Sequence, residues 1–162
     1  MMSISLKLID YEKDLAEFYD LIMNNTDYFN DYVESIPTLN KVKEDFLLDV
    51  PPGIALNNKE VYGIYKEGNM IGFVDLLFNY PQESTCMIGY LVIDQNFRKQ
   101  GIGQYAYDWI IGYAEDRDIE TLRLGVIKDN LPAVRMWEKQ GFKTVEEIPT
   151  EYGEQLTMEL WL

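Results

Sequence analysis

The residues best equipped for chemistry in this sequence are Arg98, Lys99, Gly101 and Gly103, in the run Arg98-Lys99-Gln100-Gly101-Ile102-Gly103-Gln104. An apolar segment, Leu91-Val92-Ile93, and a short polar connection precede the run, and an amphipathic pattern follows it at once. Glycines two positions apart let backbone N–H groups turn toward one point, and the start of a helix adds unpaired donors and the positive end of its dipole. Such a concavity binds an anion, most naturally a phosphate or pyrophosphate. It is not the dinucleotide fingerprint, because only Ala106 stands where a third small residue is wanted and no first βαβ strand precedes it. It is not a P-loop either, since no Gly-Lys-Ser/Thr follows. The bland alternative is a tight turn into a helix. Arg98 and Lys99 beside the glycines favour the anion site over it.

Composition limits what else the chain can do. Lys and Arg number 14 against 28 Asp and Glu, a net charge of −14. A field of that sign repels nucleic acid and anionic membranes and attracts cations, which suits an amine substrate; otherwise it serves solubility alone. The sequence contains no histidine and one cysteine, Cys86. Ser-His-Asp and Cys-His nucleophiles are therefore excluded, and a transition-metal site is not expected. Cys86 has no neighbour in sequence that would lower its pKa, so it reads as core rather than as an acyl carrier. Any general base must be a carboxylate, a tyrosine, a lysine or a relayed water. A single cysteine fits a reducing cytoplasm, and no apolar run reaches membrane-spanning length. The N-terminus lacks the parts of a secretory signal. At 162 residues the expectation is one domain, 1–162.

The elements that must position the glycine run emerge from periodicity. Ile4 to Ile9 alternates as a strand, with Ile4, Leu6 and Leu8 on one side, and Asp10 can cap the helix after it. In that helix Leu15, Phe18, Tyr19 and Ile22 recur at helical spacing. Residues 24–36 show no sustained period. Pro37-Thr38 opens a second helix carrying Leu39, Val42 and Phe46, which Pro51-Pro52-Gly53 stops. Two strands to either side of Glu67-Gly68-Asn69 form a hairpin, and Thr85–Ile93 reads as a central strand. A helix bearing Ile102, Ala106, Trp109, Ile110 and Tyr113 leaves the glycine run. Thr121–Ile127 is a strand, Asn130 and Pro132 start another helix, Gly141 ends it, and two more strands finish the chain. The fold class is α/β (α+β): a mixed, mostly antiparallel sheet of about six to seven strands flanked by about four helices.

Two segments then carry a resemblance. Gly89-Tyr90-Leu91-Val92-Ile93 with Arg98-Lys99-Gln100-Gly101-Ile102-Gly103 resembles the acetyl-CoA loop of the GNAT superfamily of N-acetyltransferases. Asn130-Leu131-Pro132-Ala133 and Trp137-Glu138-Lys139-Gln140-Gly141-Phe142 resemble that family's Asn-x-x-Ala and Tyr-x-x-x-Gly-Phe segment, in the right order and with a strand between. The resemblance implies a splayed central strand pair and acetyl-CoA as cosubstrate, with no metal. Backbone groups of Leu91, Val92 and Ile93 would hold the pantetheine arm, and the N–H groups of Arg98 to Gln104, including Lys99, Gln100, Gly101, Ile102 and Gly103, would hold the pyrophosphate. Asn130, Ala133 and Trp137 would border the thiol end.

The chain departs from the family at the proton-transfer positions. Some members carry a glutamate base eleven residues before the loop's first Arg or Gln, where this chain has Met87. The usual thiolate-protonating tyrosine is replaced by Trp137, whose indole N–H is not a transferable proton near neutrality. Asp75 and Glu83 are the nearest replacement bases, each acting through water, with Tyr90 and Tyr152 behind them; each carboxylate also reads as an ordinary strand or loop residue. For the acceptor, Asp27, Tyr28, Phe29, Asp31, Tyr32 and Glu34 combine carboxylates with aromatic faces, and Glu146, Glu147 and Glu154 offer a second acidic wall. The expected function is direct transfer of acetyl from acetyl-CoA to a primary amine, a polyamine, aminoglycoside or peptide amine. The partners are acetyl-CoA and a cationic amine, with no nucleic acid or membrane, in a monomer or homodimer. A CoA-binding sensor that has lost catalysis is the rival reading, and a structural interaction domain the third.

Overall fold

A computed structural model of the chain describes residues 3–29 and 36–162. Asp31, Tyr32 and Glu34 lie outside the described residues. The element order is β1 (Ile4–Leu8), α1 (Leu15–Met23), α2 (Leu39–Val42), β2 (Lys59–Lys66), β3 (Asn69–Phe78), β4 (Thr85–Ile93), α3 (Ile102–Asp116), β5 (Thr121–Ile127), α4 (Leu131–Lys139), β6 (Lys143–Thr150) and β7 (Gly153–Trp161). Seven strands form one mixed sheet in the order β1-β2-β3-β4-β5-β7-β6. The β1–β2, β5–β7 and β6–β7 ladders are antiparallel and β4–β5 is parallel. The expected mixed, mostly antiparallel sheet is present, at the upper end of the expected strand count.

The chain divides into two compact units, one of Met1–Asp75 with Tyr90–Ile110 and one of Leu76–Gly89 with Ile111–Leu162. In the first, α1 and α2 cover a core of Phe18, Ile22, Val42, Phe46, Leu47, Val61 and Phe73. Edge-to-face rings knit this core, with Phe18 to Phe73 and Phe29 to Phe46 both 5.0 Å between centroids. Each such pair contributes about 0.5–1.5 kcal/mol beyond the area it buries. The β2–β3 hairpin turns on Glu67 and Gly68, both at positive φ (51° and 83°), the backbone of a type I′ turn. In the second unit, β5 presents Leu122, Leu124 and Val126 to the core, and β7 adds Leu156 and Met158. The edge strand β6 is exposed at every residue.

Three local expectations are corrected. Asp10 does not cap α1: its Oδ1 accepts from the N–H groups of Glu12 and Lys13 and closes a turn before the helix begins. Those two bonds hold the Asp10 carboxyl below its ordinary value. At the end of β1 the alternation slips, leaving Leu8 58% exposed while Ile9 is buried. The second helix is α2 for one turn, capped by Thr38 Oγ1 accepting from Lys41 N, and then widens into a π-type turn over Lys43–Leu47. It therefore ends before Pro51 acts.

Candidate active site

The loop with the glycine run, residues 94–104, lies within the first unit. Backbone N–H of Asp94 donates to Ile71 O at 2.7 Å, which anchors the end of β4 on β3. Asp94 Oδ1 then accepts from Asn96 N at 2.8 Å and caps a single 3-10 turn, Gln95–Phe97. Arg98 Nε donates to Ile93 O at 3.2 Å, folding the guanidinium back over the start of the loop. Lys99 and Gly101 both take left-handed backbone, φ 61° and 81°. For a lysine this conformation costs about 1–2 kcal/mol, strain that persists where function shapes the chain. Alternate left-handed residues turn successive N–H groups into one concavity. Tyr105 N donates to Gly101 O as the first bond of α3, so the N–H groups of Ile102 and Gly103 have no acceptor within the helix.

Gly103 is the second residue of α3. Its φ is not left-handed, and an added Cβ would meet only Ile93 Cγ1, at an ordinary 3.9 Å. Among the described residues nothing demands glycine there, and in a helix glycine costs about 1 kcal/mol relative to alanine. The glycine leaves this stretch of helix backbone uncovered. A further cation, missed in the sequence, joins the loop from the end of β2. Lys66 Nζ lies 3.3 Å from Gln100 Oε1 and 5.6 Å from the centre of the Phe97 ring. No local pattern marked Lys66, because the sheet order alone brings it to the loop.

Along β4, the β5 ladder covers Thr85↔Thr121, Cys86↔Leu122 and Met87↔Arg123 and ends there. Backbone of Leu91, Val92 and Ile93 thus lies beyond the ladder, in the arrangement expected of a splayed strand. Val92 and Ile93 are both buried, Val92 in the core beneath α1 and α2. Tyr90, by contrast, is 38% exposed. Its ring stands on an aromatic floor, with centroids 5.4 Å from Phe46, 5.7 Å from Phe73 and 5.8 Å from Phe29. The floor fixes the lower side of the ring and leaves part of it open.

The candidate bases are placed in contrasting settings. Asp75 is buried on β3, its Oδ2 3.0 Å from Lys59 Nζ, which also donates to Asp49 O at 2.8 Å. Burial pushes the Asp75 carboxyl up, against the downward pull of Lys59. Glu83 is exposed in the turn before β4, at the opposite end of that strand from the loop. Met87, on the same strand, is half-buried. Cys86 is buried, with its Sγ 4.0 Å from Met87 O. Burial also pushes Tyr65 and Tyr107 up to about 12, which removes both as bases near neutrality.

Asn130, Ala133 and Trp137 belong to the second unit, where they build the two ends of α4. Asn130 Oδ1 accepts from Ala133 N at 3.4 Å, an N-cap with Pro132 in the first turn. At the other end Phe142 N donates to Trp137 O and Gly141 N to Glu138 O, both at 3.0 Å, with Gly141 at φ 104°. That pair of bonds is a Schellman motif, and the Trp137–Phe142 rings, 5.3 Å apart, supply the apolar contact that accompanies it. The spacing Trp137-x-x-x-Gly141-Phe142 therefore has a structural origin, and Trp137 is buried. Of the acidic stretch beyond, Glu146 and Glu147 lie on β6, paired with Arg123 at 3.6 Å and Lys128 at 2.9 Å, and Glu154 lies on β7 past the turn that joins the two strands. Tyr152 is exposed in that turn.

Among the described residues no group of three or more acidic or cysteine side chains is arranged to hold a metal ion, and no helix is long and apolar enough to cross a membrane. No curated protein matches the chain. Solved structures do match in fold. An acetyltransferase from Thermus thermophilus superposes with a TM-score of 0.77 at 19% identity, over 100% of both chains. An aminoglycoside acetyltransferase in complex with coenzyme A gives 0.73 at 20% identity, over 98% of this chain and 95% of that one. A spermidine N-acetyltransferase variant from Vibrio cholerae gives 0.74 at 18%, over 98% and 93%. The family model described as Acetyltransferase (GNAT) family matches residues 17–142. That span includes the strained loop, β4 beyond its ladder and both capped ends of α4, and on it the chain belongs to the GNAT family of acetyltransferases.

Proposed function

We propose that residues 1–162 act as one N-acetyltransferase domain that moves acetyl from acetyl-CoA directly to the primary amine of a cationic acceptor. The observation that carries this reading is Gly103, a helix-start backbone left bare without need among the described residues, in the loop that holds Arg98 and Lys99 and that Lys66 joins at Gln100. On this reading the pyrophosphate takes the N–H groups of Arg98 to Gln104, and the pantetheine arm takes backbone groups of Leu91 to Ile93. The family resemblance assigns Asn130, Ala133 and Trp137 to the same cosubstrate.

In the transfer, the ammonium first loses a proton, because an alkyl ammonium with pKa near ~10 is mostly unreactive at pH 7. The amine nitrogen then attacks the thioester carbonyl, the C–N bond forms and the C–S bond breaks. The thiolate leaves, taking a proton from solvent in place of the tyrosine that Trp137 replaces; with a thiol pKa of about 8.5 it leaves readily. Asp75 and Glu83 are the proposed acceptors of the ammonium proton, each through water. The buried state of Cys86 supports direct transfer over an acetyl-cysteine intermediate.

Three features support a cationic acceptor: the net charge of −14, the half-open Tyr90 ring, and the polyamine and aminoglycoside names carried by structures of similar fold. Thiol release from acetyl-CoA should rise well above spontaneous hydrolysis with at least one member of a panel of polyamines, aminoglycosides and peptide amines. CoA binding without turnover on any of them would leave the sensor reading standing instead. Cation–π contact at a partly exposed ring is worth about 1 kcal/mol. Tyr90→Leu should therefore raise the KM of the best amine about fivefold and leave that of acetyl-CoA unchanged, while Tyr90→Phe behaves as wild type. Equal losses in both variants would assign the effect to the hydroxyl.

A further inference from the structure

Resting on that reading of the loop, we propose that Asn25 is a positioning residue for the donor site, a buried carboxamide that locks the start of the phosphate-binding loop onto the C-terminal end of α1. Asn25 is 1% exposed and lies 69 residues from its partner Asp94 in sequence. Its Nδ2 donates to Leu21 O at 2.8 Å and to Asp94 Oδ2 at 3.1 Å. Its Oδ1 accepts from the backbone N–H of Gln95 at 3.0 Å. Gln95 Nε2 returns a bond to Asn24 O, also at 3.0 Å. The amide cannot be turned over, since that would set its oxygen against two acceptors and its NH₂ against a donor.

These bonds act on the part of the loop that determines where its donors point. Asp94 uses its other oxygen, Oδ1, to cap the turn Gln95–Phe97, and its backbone N–H to hold β3. With Oδ2 held by Asn25, the carboxylate has one available orientation, and the turn that launches Arg98 has one start. A carboxamide is the side chain of this length that donates and accepts at once, so neither Asp nor Leu replaces it. Asn25 follows the C-cap of α1, Asn24, and opens the turn Thr26–Tyr28, so the segment carrying Phe29 of the aromatic floor is tied at the same point. A half-satisfied network of this kind, buried, is costly and loses its geometry.

The test is a swap. Asn25→Asp sets two carboxylates against each other and should weaken CoA binding by calorimetry at least tenfold, raise the KM of acetyl-CoA alike, and change kcat less than twofold. Adding Asp94→Asn restores a donor across the gap to residue 94 while both Oδ1 acceptors survive, but Leu21 O stays without its donor, so CoA affinity should recover at least about threefold over the single variant without reaching wild type. A lower melting temperature in Asn25→Asp with CoA affinity of the folded protein unchanged would overturn the inference and make Asn25 merely structural. So would a double variant that stays as weak as the single one. Wild type that fails to bind CoA would overturn the donor-site reading and this inference with it; wild-type binding with the Asn25→Asp single variant unaffected would overturn this inference alone.

Discussion

Gly103→Glu should raise the melting temperature of the free protein and abolish its response to CoA. The two effects have opposite signs because they come from different parts of one residue's surroundings. In the free chain, replacing glycine in α3 recovers about 1 kcal/mol of helix propensity, and a carboxylate in the first turn adds about 0.3–1 kcal/mol with the helix dipole. The new Cβ has room, with Ile93 Cγ1 at 3.9 Å. For a chain of this length a gain of about 1 kcal/mol raises Tm by about 2–4 °C. With CoA at about a hundred times its Kd, wild type gains about 2.7 kcal/mol, and the variant should gain nothing, since its carboxylate fills the anion site. Thermal melts with and without CoA read both effects. A variant that still shifts with CoA would place the ligand elsewhere. Gly101→Glu is the poorer probe, because its φ of 81° makes any side chain destabilising whatever happens to the ligand.

Lys59→Met should cost about 3–5 kcal/mol, because it leaves the Asp75 carboxylate buried without its cation. Lys59→Met with Asp75→Leu should recover most of that loss, as apolar replacements of buried ion pairs commonly do. The pH dependence has a definite sign. Burial raises the Asp75 carboxyl in the folded state above the ordinary 3.8, and Lys59 opposes the rise. An acid raised on folding binds more protons folded than unfolded, so stability falls as pH climbs through the window between the two values. Removing Lys59 deepens that penalty and carries it to higher pH. The stability gap between wild type and Lys59→Met, from urea unfolding, should therefore be smaller at about pH 5 than at about pH 8. The same double variant tests Asp75 in the reaction. If it folds and turns over normally, Asp75 belongs to the scaffold; if it folds and is inactive while Glu83→Gln is not, Asp75 takes the proton.

The features legible in the sequence are those whose cause is local. Element order comes from period, and the hairpin from Glu67-Gly68. The loop is legible because Arg98 to Gly103 hold their chemistry within a few residues. Asn130 and Gly141 read as helix ends for the right reason. What the spacing does not convey is that Trp137 and Phe142 pair as the apolar half of the same stop signal. Features set by distant partners are invisible in the sequence. Lys66 reaches Gln100 across 34 residues, and Asn25 reaches Gln95 across 70. Asp75 looks like an available base because nothing near it in sequence announces Lys59, 16 residues earlier and on the neighbouring strand. Asp10 misleads for another reason: an aspartate before a helix suits either a cap or a preceding turn, and only the backbone decides.

The exposed β6 strand has a consequence for how the protein behaves when concentrated. It closes one edge of the sheet, and an open edge of eight residues is a template on which a second chain can add a strand. Here the template is spoiled three times over. The register shifts between Thr144 and Glu146, so Val145 is an extra residue that bends the strand. Pro149 removes an N–H, and Glu146 and Glu147 set charge along the middle. An edge built this way resists addition of a further strand, and substituting Pro149 and the two glutamates by threonine would turn it into an adhesive one.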